Sequence, residues 1–362
     1  MLSRLHRRRF LAAAPALAAA PALPLAAAAV PWPPSEGAHT PKICLGVRAD
    51  LDAEGMRLLK QVGVNYVLTG GPRTPWTEAS VRERIDHFNK GGLTLANMMI
   101  GGFNDVIWGG PKAEEQTQQI VDSIAAAGKA GLPVVEYNFY AYRLTEGYKE
   151  EIGRGGAGMT AYDYELSRNL PPPPSGTHTR KQQLERAKRF LQAIVPAAEK
   201  AGVRLALHPN DPPVPLSRGS EQLMATVEHW KEYLNLVKSP VNGMTYDPGV
   251  IGEMGEDPVA VLKYMGERDV VNHAHYRNVR VRKPYVDYTE VFLDEGIVDM
   301  FAVMKEFVRQ KYPRAIYPEH PRAIDLDRKL GIKNFYPGGG GIAAEIYNVA
   351  YTKAMLQAAL SS

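Results

Sequence analysis

Four short segments of this 362-residue chain each carry a side chain that binds metals well. They are Leu207-His208-Pro209-Asn210-Asp211, Thr245-Tyr246-Asp247-Pro248-Gly249, His273-Ala274-His275-Tyr276-Arg277-Asn278 and Tyr317-Pro318-Glu319-His320-Pro321. The candidate ligands are His208, Asp247, His275 and Glu319. Two imidazoles and two carboxylates suit Mn2+, Fe2+, Co2+ or Zn2+ better than Ca2+, which prefers oxygen alone, and Mg2+ is a further alternative. A divalent ion held there would bind a carboxylate or carbonyl of a substrate with its neighbouring hydroxyl and lower the cost of removing the proton between them. His320 titrates near neutral pH and is the candidate to move protons, with Tyr246 or Tyr276 as helpers and Arg277 countering substrate charge. Departure of a β-hydroxide makes such a reaction a dehydration, and return of the proton to the other face makes it an epimerisation. Loss of an alkoxide from a 3-keto-glycoside makes it a lyase reaction of another kind.

Each residue also has an ordinary structural role open to it. His208 could be a core histidine at a strand end, Asp247-Pro248-Gly249 a simple turn, and Glu319 the partner of Arg322 or Arg314. Four ligand types at four strand ends favour the metal. Alternation along a strand puts His273 and His275 on the same side; His275 is nearer the rim, with His273 one layer deeper.

The elements that must position these residues are legible as alternation. From Lys42 onward, short apolar β-rich runs alternate with longer amphipathic stretches, the pattern of βαβ units in a parallel sheet. Eight strands are expected: Ile43 to Val47, Val64 to Leu68, Leu93 to Ile100, Pro133 to Asn138, Arg204 to His208, Gly243 to Asp247, Val270 to His275 and Ala315 to Glu319. Helices are expected at Ala53 to Gln61, Glu78 to Lys90, Glu114 to Ala130, Arg180 to Ala201, Glu221 to Val237, Val259 to Met265, Met300 to Lys311 and Ala343 to Ala359. This is an α/β chain, a (β/α)8 TIM barrel spanning 42–362 as one domain. The four ligand segments fall on the fifth to eighth strands, whose C-terminal ends form the rim where such barrels build their sites. Loops at Tyr140 to Thr179 and Asp211 to Ser220 follow strands and so lie on that rim; the first, with Gly153 to Gly158 and Pro171 to Pro174, reads as a mobile cover.

The first 30 residues read as an export leader, and 31–41 as a linker. Arg7-Arg8-x-Phe10-Leu11 matches a twin-arginine signal, followed by an Ala-rich run with small residues near Ala27 to Ala29 for cleavage. Pro15, Pro21 and Pro24 interrupt a run too weakly apolar for a stable membrane anchor. The expected address is periplasmic, with the twin-arginine export machinery as partner. Cys44 is the only cysteine, so no internal disulfide forms. The net charge of +4 comes from Arg4, Arg7, Arg8 and Arg9; the remaining chain carries 39 basic and 39 acidic residues, which gives no support for nucleic-acid binding.

The motifs carry a family resemblance. His208-Pro209-Asn210-Asp211-Pro212-Pro213, Ser239-Pro240-x-Asn242-Gly243, His275-Tyr276-Arg277-Asn278-Val279, Val298-Asp299-Met300 with Ala302-Val303-Met304, and Pro318-Glu319-His320 occur in the order and at the spacing of mannonate dehydratases. Tyr137-Asn138-Phe139 followed by Thr160-Ala161-Tyr162 does so too. The likeness spans most of Lys42 to Ala359. It implies a xylose-isomerase-like TIM barrel that dehydrates D-mannonate to 2-keto-3-deoxy-D-gluconate with Mn2+ or a similar ion. It also implies ligands at His208, Asp247, His275 and Glu319, an acid/base at His320 and a substrate-contacting arginine at Arg277. This chain differs where Asp247 replaces a cysteine ligand, Glu319 an aspartate and Asn210 an aspartate, and Gly101-Gly102-Phe103-Asn104-Asp105 lacks the family's acidic, histidine-containing string. The harder donor set also resembles that of related sugar isomerases and epimerases, which are the alternative reading, together with a keto-glycoside lyase and a non-catalytic sugar-binding barrel. The ligand is in each case a sugar or sugar acid, and the Ala-rich C-terminal helix is a candidate surface for a homo-oligomer.

Overall fold

Helix starts and stops follow from local chemistry. Thr77 with Ser80, and Thr179 with Gln182, form reciprocal capping boxes that open the helices Glu78–Lys90 and Arg180–Ala201. Gly131 and Gly202 close the helices before the fourth and fifth barrel strands at φ of 88° and 67°, a left-handed conformation that glycine takes at no steric cost. Between these helices the apolar runs form eight parallel strands: β1 (Lys42–Gly46), β2 (Tyr66–Gly70), β3 (Thr94–Ile100), β4 (Val134–Asn138), β5 (Arg204–His208), β6 (Asn242–Tyr246), β7 (Val271–His275) and β8 (Ala315–Tyr317). Each pairs with the next and β8 pairs with β1, so the sheet closes. The computed structural model describes residues 32–362; the leader, with Arg7-Arg8 and Ala27 to Ala29, lies outside the described residues. Among the described residues no helix is long and apolar enough to cross a membrane.

The barrel interior turns polar just below the rim. Glu136 Oε2 accepts from Asn97 Nδ2 and Oε1 from Thr245 Oγ1, both at 2.7 Å, and all three are fully buried. Apolar side chains pack between barrel and helices, where Tyr246 sits edge-on to Phe307.

Two expectations change. The segment Tyr140 to Thr179, expected as a loop cover, contains strands Tyr148–Ile152 and Gly158–Asp163. They join Asp287–Val291 and Asn278–Lys283 in a four-stranded antiparallel sheet over the rim. Its two hairpins come from distant parts of the chain, so neither segment alone carries the pattern. Tyr162 stacks on Tyr288 at 5.3 Å and Tyr148 meets Tyr162 at 4.9 Å, giving this sheet its own small core. The helix expected from Glu221 begins only at Val227, because Ser220–Glu221 pairs with Leu216–Ser217 and Thr226 supplies the cap, its Oγ1 accepting from His229 N.

The last helix, Ile342–Leu360, holds a titratable group that bears on stability. Partial burial and then neighbouring Asp327 raise the Glu345 pKa from 4.5 to about 7. Between these values the folded chain keeps a proton that the unfolded chain has released, so stability falls as pH rises through that window. Glu345→Gln is expected to stabilise the protein by about 1–2 kcal/mol at pH 8 and by almost nothing at pH 4. Thermal melts at both pH values check this; an equal shift at both would sink it.

Candidate metal centre

Each candidate ligand is delivered by the end of a barrel strand. His208 and His275 close β5 and β7. Asp247 follows β6 and caps the helix Pro248–Glu253, its Oδ1 accepting from Val250 N at 3.0 Å while Oδ2 turns to the site. Glu319 stands two residues beyond β8, where Asn348 of the last helix donates to the carbonyls of Pro318 and Glu319 at 3.2 Å. All four side chains are buried, and one ligand atom from each lies within 4.8 Å of the others.

The donor set fits a divalent ion. His208 Nδ1 donates to the Pro209 carbonyl at 2.7 Å, which leaves Nε2 a bare lone pair toward the cluster. His208 Nε2 and His275 Nδ1 are 3.2 Å apart, within the roughly 3.0–3.4 Å expected of two nitrogens bound to one ion. Asp247 Oδ2 lies 3.6 Å and Glu319 Oε1 2.7 Å from His275 Nδ1, and Glu319 Oε1 has no hydrogen-bond donor of its own. Burial opposes a charge on His275, but Glu319 and Asp247 overcome it and push the pKa up to about 10. Against burial, Arg277 and His275 hold Asp247 below the usual carboxylate range, and His275 and His320 do the same for Glu319. Burial and His275 lower the His208 pKa, favouring the neutral form that a ligand needs.

The wider electrostatics point the same way. Glu136, Asp211, Asp247, Glu253, Glu290 and Glu319 are all buried around only two buried arginines, Arg277 and Arg322. Some of this charge is relieved at Glu253, whose pKa burial raises far above normal. With His208 and His275 neutral, as ligation requires, part of the remaining charge is unmet by the arginines, and a divalent ion at the four-ligand cluster would supply two charges there.

His320 sits against this cluster. Its Nδ1 is 2.8 Å from Glu290 Oε2, and its Nε2 is 3.3 Å from Glu319 Oε2. Burial disfavours the imidazolium, but the two carboxylates outweigh it and raise the pKa above the ordinary value. The backbone at His320 has φ of 49°, a left-handed conformation uncommon for a side-chain-bearing residue. Glu290 comes from the rim sheet, in the strand Asp287–Val291, so that sheet completes the site as well as covering it.

Not every expected residue arrives. Tyr246 and Tyr276 turn away from the cluster: the Tyr246 hydroxyl donates to the Pro258 carbonyl at 2.9 Å and that of Tyr276 to the Met300 carbonyl at 2.5 Å. Strand alternation explains this, since each neighbours an inward ligand and must face the helices. Arg277 is enclosed, only 2% exposed, with Nη1 2.6 Å from Glu253 Oε1, Nε 3.0 Å from Asp247 Oδ2 and Nη2 3.3 Å from Asp211 Oδ2. Its guanidinium is engaged by carboxylates of the protein.

The sequence alone does not single out Glu136, Glu253 or Glu290, offers Asp211 only within a motif, and offers Arg322 only as a partner for Glu319, whereas it pairs with Glu290. Glu136 has a visible signal, a lone carboxylate in the apolar run Val134-Val135-Glu136-Tyr137. Its Oε1 is 3.8 Å from His275 Nε2 and its Oε2 is 4.0 Å from His273 Nε2, and these three form a second, deeper group of donors. Glu290 and Arg322, joined at 2.9 Å, meet only once the rim sheet is folded.

Fold and site together define a (β/α)8 enzyme with a divalent-metal centre on the C-terminal rim of the barrel. Residues 178–361 match the family described as D-mannonate dehydratase (UxuA), and the chain belongs to that family of metal-dependent lyases. The mannonate dehydratase of Endomicrobium trichonymphae is 25% identical over 342 residues, covering 78% of this chain and 91% of the relative. The structure of mannonate dehydratase from Streptococcus suis serotype 2 superposes with a TM-score of 0.79 at 23% identity, covering 88% of this chain and 95% of that one. More distant in fold is D-psicose 3-epimerase from Clostridium cellulolyticum H10, with a TM-score of 0.56 at 11% identity over 87% of this chain and 99% of that one.

Proposed function

We propose that the chain dehydrates a sugar acid, D-mannonate, to 2-keto-3-deoxy-D-gluconate, with Mn2+ as the ion and after export through its leader. The observation that carries this reading is the placing of His320 between Glu290 and Glu319, directly beside the four-ligand cluster. When bound, the ion draws electron density from the acid's oxygens and so acidifies the neighbouring C–H. His208, Asp247, His275 and Glu319 hold it. In the elimination a hydroxyl leaves as water only if a proton meets it; His320, whose protonated form its two carboxylates favour, gives that proton to the hydroxyl and takes up the one released from the C–H.

The replacement of a cysteine by Asp247 keeps epimerisation as the second reading, because a harder donor set also suits the handling of neutral sugars. One experiment separates them: 2-keto acid formation from D-mannonate by the mature, Mn2+-loaded protein, with Asp247→Ala as control. Metal-dependent product that vanishes in the variant is the expected result. Stoichiometric metal without product would overturn dehydration of D-mannonate and favour epimerisation or keto-glycoside elimination.

A further inference from the structure

Resting on the sugar-acid reading, we infer that Arg143 is the anion anchor of the site, the group that takes the carboxylate of an acyclic sugar acid. Arg143 lies in the segment after β4. Its Nε donates to the Asp211 carbonyl at 2.7 Å, and its Nη2 stands 3.5 Å from Asp211 Oδ2. The guanidinium carbon lies 5.8 Å from the Tyr140 ring and 5.5 Å from the Tyr336 ring. Both rings lead back to the chemistry. The Tyr140 hydroxyl is 3.0 Å from His208 Nδ1, and the Tyr336 ring is 5.6 Å from that of His320. Arg143 is thus framed by one ring that touches a metal ligand and one that touches the acid/base histidine.

Three arginines border the site, and their states differ. Arg277 and Arg322 are 2% and 1% exposed and engaged with the protein's own carboxylates and carbonyls. The Arg143 side chain keeps 33% of its surface open, and among the described residues its Nη1 hydrogens meet no acceptor. An acid approaching a rim rich in buried carboxylates is repelled by them, so its binding needs, beside the ion, a cation that solvent can reach. Among these arginines Arg143 alone meets that need. A planar guanidinium already fixed through Nε presents its outer edge to a carboxylate as a fork, at little entropic cost. The aromatic rings on either side exclude water and strengthen that pair.

The test is binding measured by calorimetry on Mn2+-loaded protein in a His320→Asn background, which prevents consumption of the ligand. D-mannonate and the uncharged D-mannitol are the probes. The expected result is an acid preference, part of it due to the ion, that Arg143→Gln lowers at least about 10-fold, with mannitol affinity changed less than about twofold. Arg143→Lys should fall between, keeping the charge and losing the fork. In the otherwise native enzyme Arg143→Gln should raise KM for D-mannonate about 10- to 100-fold and leave kcat within about threefold. An acid preference unchanged by Arg143→Gln overturns the anchor alone. A parent protein with no acid preference overturns the sugar-acid reading and the anchor with it.

Discussion

His320→Asn is expected to lower kcat by about three orders of magnitude while leaving the bound metal at its native stoichiometry, since a positioned acid contributes roughly 10²- to 10⁴-fold. Asparagine is the right probe for two reasons. It accepts the left-handed backbone at this position, φ of 49°, better than most residues, so loss of activity will not simply report backbone strain. Its amide also keeps a hydrogen bond toward Glu290 but cannot carry a proton. The pH profile adds a second check. The pKa of His320 is raised, so the protonated acid is kept to higher pH than in an ordinary imidazole and is lost as pH climbs past the raised value. The alkaline limb of kcat should therefore lie above the ordinary imidazole range. Glu290→Gln removes one of the two carboxylates responsible and should move that limb to lower pH. Turnover by the His320 variant comparable with that of the parent would remove His320 from the mechanism.

What the residues reveal on their own depends on the range of each signal. Strands β5 to β8 are local signals, each a short apolar run closed by a ligand, so their existence and the meeting of His208, Asp247, His275 and Glu319 at one rim are legible in the sequence alone. Their partners are not. Glu290 reaches His320 only through a hairpin that pairs with strands about 130 residues earlier, and no single segment encodes that pairing. The tyrosines show the opposite error: proximity in sequence to Asp247 and His275 suggests Tyr246 and Tyr276, but one step along a strand reverses the face. Arg143 carries no periodic signal at all, because it sits in the segment after β4 whose composition reads only as loop.

The electrostatics join these pieces. The rim sheet is fastened to the barrel through Asp211, which accepts from Tyr148 Oη at 2.9 Å, and Arg277 reaches the same carboxylate from β7's far end. One buried cation thereby ties the sheet, the ligand Asp247 and the ligand Glu319 into a single unit. The fold makes room for it at Gly249, where a Cβ would stand 2.7 Å from the Arg277 Cγ. Asp247-Pro248-Gly249 is therefore at once a strand exit, a helix cap and a berth for the arginine.

Arg277→Lys is accordingly expected to behave as a structural lesion, not as loss of a substrate contact. An ammonium is a point charge and cannot serve Asp211, Asp247 and Glu253 together, which the fork does through three nitrogens. Carboxylates left buried without their cation cost about 3–5 kcal/mol. The expected outcome is a fall in Tm of roughly 10 °C, together with weaker Mn2+ binding because Asp247 Oδ2 is no longer held toward the cluster. Saturating Mn2+ should recover part of the loss, since the ion neutralises Asp247 and Glu319, both in reach of Arg277, and stabilises whichever state binds it. A substrate-contacting arginine would give a different signature: unchanged Tm and metal affinity with a raised KM. That result would return Arg277 to the role its motif implied and would require the carboxylates around it to be held by some other cation.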